Sequence, residues 1–135
     1  MRSITQRHPF GCGVACVAFV VKKSYSEIVS ILGDDKASNK GFYCRDLIKA
    51  LSRFKYSYAY KYLKPKLRRS IYQDGVIVFI KRSLKYPSGH YLTYSNGLWM
   101  DPWINFVQNN NIKQAESGFR KRLPGTPIYT ISPSN

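Results

Sequence analysis

Three residue types build a thiol nucleophile with its base and orienting group, and this chain holds one of each at a workable spacing. Cys12 lies in the stretch QRHPFGCGVACVAFVV, residues 6–21. A cysteine attacks as the thiolate, so it needs surroundings that favour the anion, a base held close, and donors for the oxyanion that develops on a substrate carbonyl. The run Val14, Ala15, Val17, Ala18, Phe19, Val20, Val21 reads as a helix over 12–22, apolar almost all round and therefore buried, although its β-branched content would also permit a strand. Cys12 then heads that helix, where the dipole and unpaired N–H groups stabilise a thiolate. Gly11 and Gly13 remove bulk on both sides and let a substrate backbone approach. The Cys12 N–H is one oxyanion donor. The amide of Gln6, on the extended segment before it, is a second.

The base follows from a hairpin. Asn96-Gly97 is a two-residue turn signal between GHYLTYS and LWMDPW. With those two residues in the turn, Ser95 stands opposite Leu98, Leu92 opposite Asp101 and His90 opposite Trp103. Side chains alternate along a strand, so His90, Leu92, Asp101 and Trp103 share a face. Asp101 is then the diagonal neighbour of His90, at a Cα separation of roughly 5.5 to 8 Å, within reach of a carboxylate–imidazole hydrogen bond. His8, the other histidine, is the rival base. It is tied near Cys12 by a short segment containing Pro9 and has no carboxylate within five residues. Cys16, one turn after Cys12, and Cys44 read as core packing, with a resolving thiol as the alternative for Cys16. Trp99 and Trp103 read as core or groove wall rather than a base-stacking platform.

The elements that must position these residues come in two halves. SYSEIVSILG is a helix with a capping box at Ser24 and Glu27 and a stop at Gly33. GFYCRDLIKALSRF is a third, with Cys44, Leu47, Ile48 and Leu51 at helical spacing. Then YSYAYKY (56–62) alternates as a strand does, LKPKLRRSIY is a basic connector, and GVIVFIKR is a fully buried strand. NIKQAESGFRKRL suggests a short helix and PIYTIS a last strand. Helices first and an antiparallel sheet second predict an α+β fold in one domain over 1–135.

The balance of charge is lopsided: 22 Lys and Arg against 7 Asp and Glu, for a formal net charge of +15. That favours an anionic partner, such as nucleic acid or another polyanion, an acidic protein or a membrane surface. The densest basic runs are 61–69 and 120–122. Two histidines and no CxxC pair argue against a metal site, and no cofactor motif is present. Three cysteines without a disulfide framework fit a reducing, cytoplasmic setting. No apolar run approaches the ~18 residues of a membrane span. The segment VACVAFVV runs straight into Lys22 and Lys23 without a cleavage site, so it reads as mature protein rather than a signal peptide.

Gln6, Cys12-Gly13-Val14-Ala15-Cys16, Gly89-His90 and Asp101-Pro102 occur in this order along most of the chain. The pattern resembles the bacteriocin-processing cysteine peptidases, papain-like enzymes that remove double-glycine leader peptides from secreted peptides. The resemblance implies a papain-like fold with N-terminal helices packed on a C-terminal antiparallel sheet. It also implies Cys12 as nucleophile, His90 as base, Asp101 as orienting acid, Gln6 as oxyanion donor, and a peptide or protein substrate. The chain departs from that family at Gly11, where relatives often carry an acid, and in its strong basicity, and the expectation is a standalone domain without the transporter that usually follows. Two other readings keep the fold: a basic nucleic-acid-binding protein or nuclease-type toxin, and a non-catalytic adaptor.

Overall fold

The computed structural model describes residues 2–134. Helix α1 spans Cys12–Val21 and ends where Lys22 turns left-handed at φ 61°. Its residues from Gly13 to Ala18 are all buried, which accounts for an apolar stripe wider than one face. Helix α2 (Tyr25–Leu32) starts at Ser24, whose hydroxyl accepts from the Glu27 N–H at 3.1 Å, and stops at Gly33, φ 117°. A short helix α3 (Asp34–Asn39) follows, with Ala37 as its buried residue. The sequence carries no periodicity there, because six residues with one apolar anchor leave no pattern to read. Helix α4 covers Cys44–Ser52, and the Asp46 carboxylate accepts from the Tyr43 N–H at 2.8 Å at its start.

Six strands follow among the described residues: β1 (Tyr58–Tyr62), β2 (Ile77–Ile80), β3 (His90–Ser95), β4 (Leu98–Asp101), β5 (Gly118–Arg120) and β6 (Pro127–Pro133). They form one open sheet in the order β1-β6-β2-β3-β4-β5, antiparallel throughout. The last strand therefore inserts between β1 and β2. The fold is α+β, with helices first and the antiparallel sheet second.

Period-two alternation gives the sheet two buried faces. Ile77, Tyr91 and Ile131 pack with Val14, Val17, Ile28, Leu47 and Leu51 of the helices. Val78, Ile80, Leu92 and Trp99 form a second cluster with Leu63, Ile71 and Val76 on the other side. The basic connector is a 3-10 helix, Pro65–Ile71, whose Ile71 belongs to that second cluster while its Lys and Arg side chains are exposed.

Two expectations need correction. The segment expected to hold a helix has only a 3-10 turn at Ile112–Gln114 and then forms edge strand β5. Its Gly118-Phe119-Arg120 is too short for a pattern and takes its conformation from pairing with β4. The returning hairpin strand stops at Asp101, because Pro102 has no N–H to continue the ladder. The pairs run Thr93–Met100, Tyr94–Trp99 and Ser95–Leu98 as expected, but Trp103 lies in the following turn rather than opposite His90 on a strand. No helix among the described residues is long and apolar enough to cross a membrane.

Candidate active site

His90 is the first residue of β3 and is almost fully buried. Gly89 before it sits at φ 73°, and a Cβ there would strike the Phe79 ring and lie 2.8 Å from the Ile80 carbonyl oxygen. Only glycine lets the chain enter β3 at that point, so Gly89 aims the imidazole. The Asn96-Gly97 turn, with φ 52° and 81°, sets the hairpin register that carries Asp101 alongside.

His90 Nε2 lies 2.6 Å from Asp101 Oδ1. The Trp103 N–H donates to that same oxygen at 3.0 Å, and Arg120 Nη1 donates to Oδ2 at 3.1 Å. Burial alone would raise the fully buried Asp101 carboxyl, but these donors outweigh it and hold it below its ordinary value. For His90, burial works against the charge. The Asp101 hydrogen bond and charge, followed by the Cys12 sulfur, overcome it and raise the imidazole from 6.5 to about 10. His90 is thus an imidazolium at neutral pH. With Nε2 on Asp101, Nδ1 is the nitrogen left for Cys12. Tyr86 stacks on the imidazole, centroids 5.1 Å apart, and Phe106 stacks on Tyr86 at 5.5 Å.

Cys12 begins α1, whose N-terminus has no side-chain cap, and its side chain is partly exposed. Cys16 and Cys44 are buried, and burial pushes both thiols up. The two glycines beside Cys12 serve packing. A Cβ on Gly11 would collide with the Tyr25 hydroxyl. That hydroxyl fills the space where an acidic side chain would stand. A Cβ on Gly13 would come within 2.9 Å of Leu47 and 3.3 Å of Tyr91, so this buried glycine lets α1 seat against α4 and β3 rather than making room for substrate.

Gln6 is buried beside this centre, its N–H donating to the Pro102 carbonyl at 3.2 Å. Its amide nitrogen donates to the carbonyls of His8 and Pro9, at 3.0 and 3.3 Å. To serve an oxyanion, that nitrogen must turn from the longer of these two contacts. His8 is engaged elsewhere: Nδ1 meets the Tyr25 hydroxyl at 2.9 Å and Nε2 pairs with Asp34. Asp34 is the carboxylate that local sequence could not supply, since α3 brings it in.

Cys12, Gln6 and His90 all line one groove of about 1030 Å³. Compared with protein-family models, curated proteins and solved structures, the chain shows no significant match to any. The site therefore rests on its own geometry: a partly exposed sulfur beside a carboxylate-held imidazole, both lining one groove.

Sequence reasoning missed Arg120 and Tyr86. Arg120 reaches Asp101 only because β5 pairs with β4, and β5 carried no strand signal. Tyr86 lies in a loop, where nothing in its neighbours points toward a histidine four residues later. Trp103 is groove wall and Trp99 is core, as expected. Among the described residues no cluster of three His, Cys, Asp or Glu is placed to hold a metal ion.

Proposed function

We propose that this chain is a papain-like cysteine hydrolase, a peptidase or related amidase or acyltransferase. Its triad is Cys12, His90 and Asp101, with Gln6 as an oxyanion donor. The observation that carries the reading is the His90–Asp101 contact of 2.6 Å on an imidazole raised to about 10, in part by the Cys12 sulfur. Such an imidazolium already holds the proton that a leaving amine needs.

In this scheme Cys12 Sγ attacks the acyl carbon and the carbonyl π pair moves onto oxygen. The Cys12 N–H and the Gln6 amide receive that oxyanion. As the tetrahedral species collapses, the C–N bond breaks and His90 gives its proton to the departing amine. Water, deprotonated by the now neutral His90, then adds to the thioester and releases the acid and Cys12. An amine in place of water gives acyl transfer. Asp101, clamped by Arg120 and Trp103, keeps the ring oriented and its charge balanced.

A p-nitrophenyl ester tests the reading, because a thiol nucleophile must pass through an acyl adduct. The expected result is a burst of nitrophenolate with the acyl group mapped to Cys12. The adduct is absent in Cys12→Ala and forms about 10²-fold or more slowly in His90→Gln. Acylation confined to lysines, or equal in both variants, rejects it.

A further inference from the structure

The groove has a chemical character of its own. On its floor, aromatic rings form a row across the sheet: Tyr129 to Phe79 at 6.4 Å and Phe79 to Tyr91 at 4.8 Å. Within the groove the row starts at Tyr129 of β6 and ends under Gly13, next to Cys12; outside it, Tyr62 of β1 packs against Tyr129 at 6.0 Å. Its rims are cationic. Lys36, Lys40 and Arg45 stand on the helical side, and Lys81 and Arg82 follow β2 on the other. All five are exposed. The ion pairs among the described residues engage His8, His90 and Arg120, and none of these five. One carboxylate lines the groove with them, Asp46, and it is turned to the Tyr43 N–H. Five cations converging on one cleft focus a positive potential there, beyond what net charge alone provides.

We propose that the groove selects an acidic polypeptide: the substrate segment beside the scissile bond carries Asp or Glu side chains. Its apolar and backbone surfaces lie on the aromatic row, and its carboxylates pair with the two cationic rims. This rests on the hydrolase reading of Cys12. The observations favour a peptide over a nucleic acid because the cations flank a thiol that needs an acyl carbon. The two densest basic runs, 61–69 and 120–122, contribute no residue to the groove lining; Lys66, Arg68 and Arg69 lie on the 3-10 helix Pro65–Ile71, whose Ile71 packs on the opposite sheet face.

Two matched electrophiles test it: acetyl-Glu-Glu-Ala-Gly and acetyl-Gln-Gln-Ala-Gly chloromethyl ketones. In each, Cys12 Sγ forms a bond to the methylene carbon as the C–Cl bond breaks and chloride leaves. Residue-level mass spectrometry reads the second-order rate at Cys12. The expected Glu-to-Gln rate ratio is on the order of tenfold at low salt, falling toward one in about 0.5 M salt. It also falls toward one in the combined variant Lys40→Ala, Arg45→Ala, Lys81→Ala, Arg82→Ala. The pair Arg68→Ala, Arg69→Ala removes as much charge per residue outside the groove and retains the ratio. A wild-type ratio of one or less overturns the proposal, as does a ratio that the groove variant leaves unchanged. A single-stranded oligonucleotide that blocks both probes equally, and stops doing so in the groove variant, overturns it in favour of nucleic acid. The hydrolase reading fails separately, when His90→Gln is alkylated by iodoacetamide as fast as wild type. The Glu-to-Gln ratio remains measurable in that case, since alkylation needs only an accessible thiol.

Discussion

At the scale of the residue, Asp101 is the anchor. One oxygen takes His90 and the Trp103 N–H, and the other takes Arg120. Removing the Asp101 charge takes away the largest influence that raises His90. Asp101→Asn is therefore expected to drop the His90 pKa from about 10 toward or below its ordinary 6.5, which a titration of the ring signals by NMR reads. An unchanged titration would mean that Asp101 does not hold the ring. Arg120→Gln is milder: it leaves the His90 contact intact and frees one carboxylate oxygen. It is expected to raise the Asp101 pKa while leaving His90 charged at neutral pH. The contact between His90 and Asp101 was legible from residue types plus turn chemistry. The clamp by Arg120 was not, because an arginine in a basic run reads as a solvated face until a neighbouring strand is known.

At the scale of the element, glycines decide where the chemistry points. Gly89→Ala forces a side chain into the Phe79 ring at a φ of 73°. It is expected to destabilise the fold by about 1–3 kcal/mol and to swing His90 away from Cys12. A drop in Tm together with slower Cys12 alkylation checks it, and a fully stable, fully reactive variant contradicts it. Gly13→Ala pushes α1 off Leu47 and Tyr91 and is expected to cost about 1–3 kcal/mol through overpacking. Chemical denaturation midpoints measure that loss. Helices α2 and α4, five of the six strands among the described residues and the hairpin register were readable from period or from punctuation such as Ser24, Gly33 and Asn96-Gly97, whereas α1, apolar almost all round and rich in β-branched residues, left helix and strand both open. Helix α3 and strand β5 were not. Six and three residues carry too little period, and tertiary pairing alone makes them.

At the scale of the whole molecule, charge and pH set the stability. With +15 on 135 residues, self-repulsion opposes folding, and salt screens it. Tm is expected to rise between low salt and about 0.2 M; a fall would mean that attractive pairs outweigh the repulsion. Folding raises the His90 pKa from 6.5 to about 10, so its contribution is fully present below 6.5 and is lost as pH rises through about 10. Folding lowers the Asp101 pKa, so its contribution is present above 3.8 and is lost as pH falls through the lowered value. Tyr25 and Tyr58, raised by burial from 10.0 to about 12, oppose the fold only above 10.0. Tm is thus expected to be highest between 3.8 and 6.5 and to decline from 6.5 to about 10. His90→Gln should flatten that decline. The α+β class was open to composition and element order, but the groove was not. Its cations come from three separated stretches, and only the assembled sheet and helices bring Lys36, Arg45 and Lys81 to one cleft.

The proposed chemistry needs Cys12 and His90 to work as one unit. The measurement that tests this first is the second-order alkylation rate of Cys12 by iodoacetamide at pH 7, in wild type and in His90→Gln. A sulfur served by the imidazole is expected to react on the order of tenfold faster in wild type than in the variant. Equal rates in the two proteins would mean that His90 does not activate Cys12.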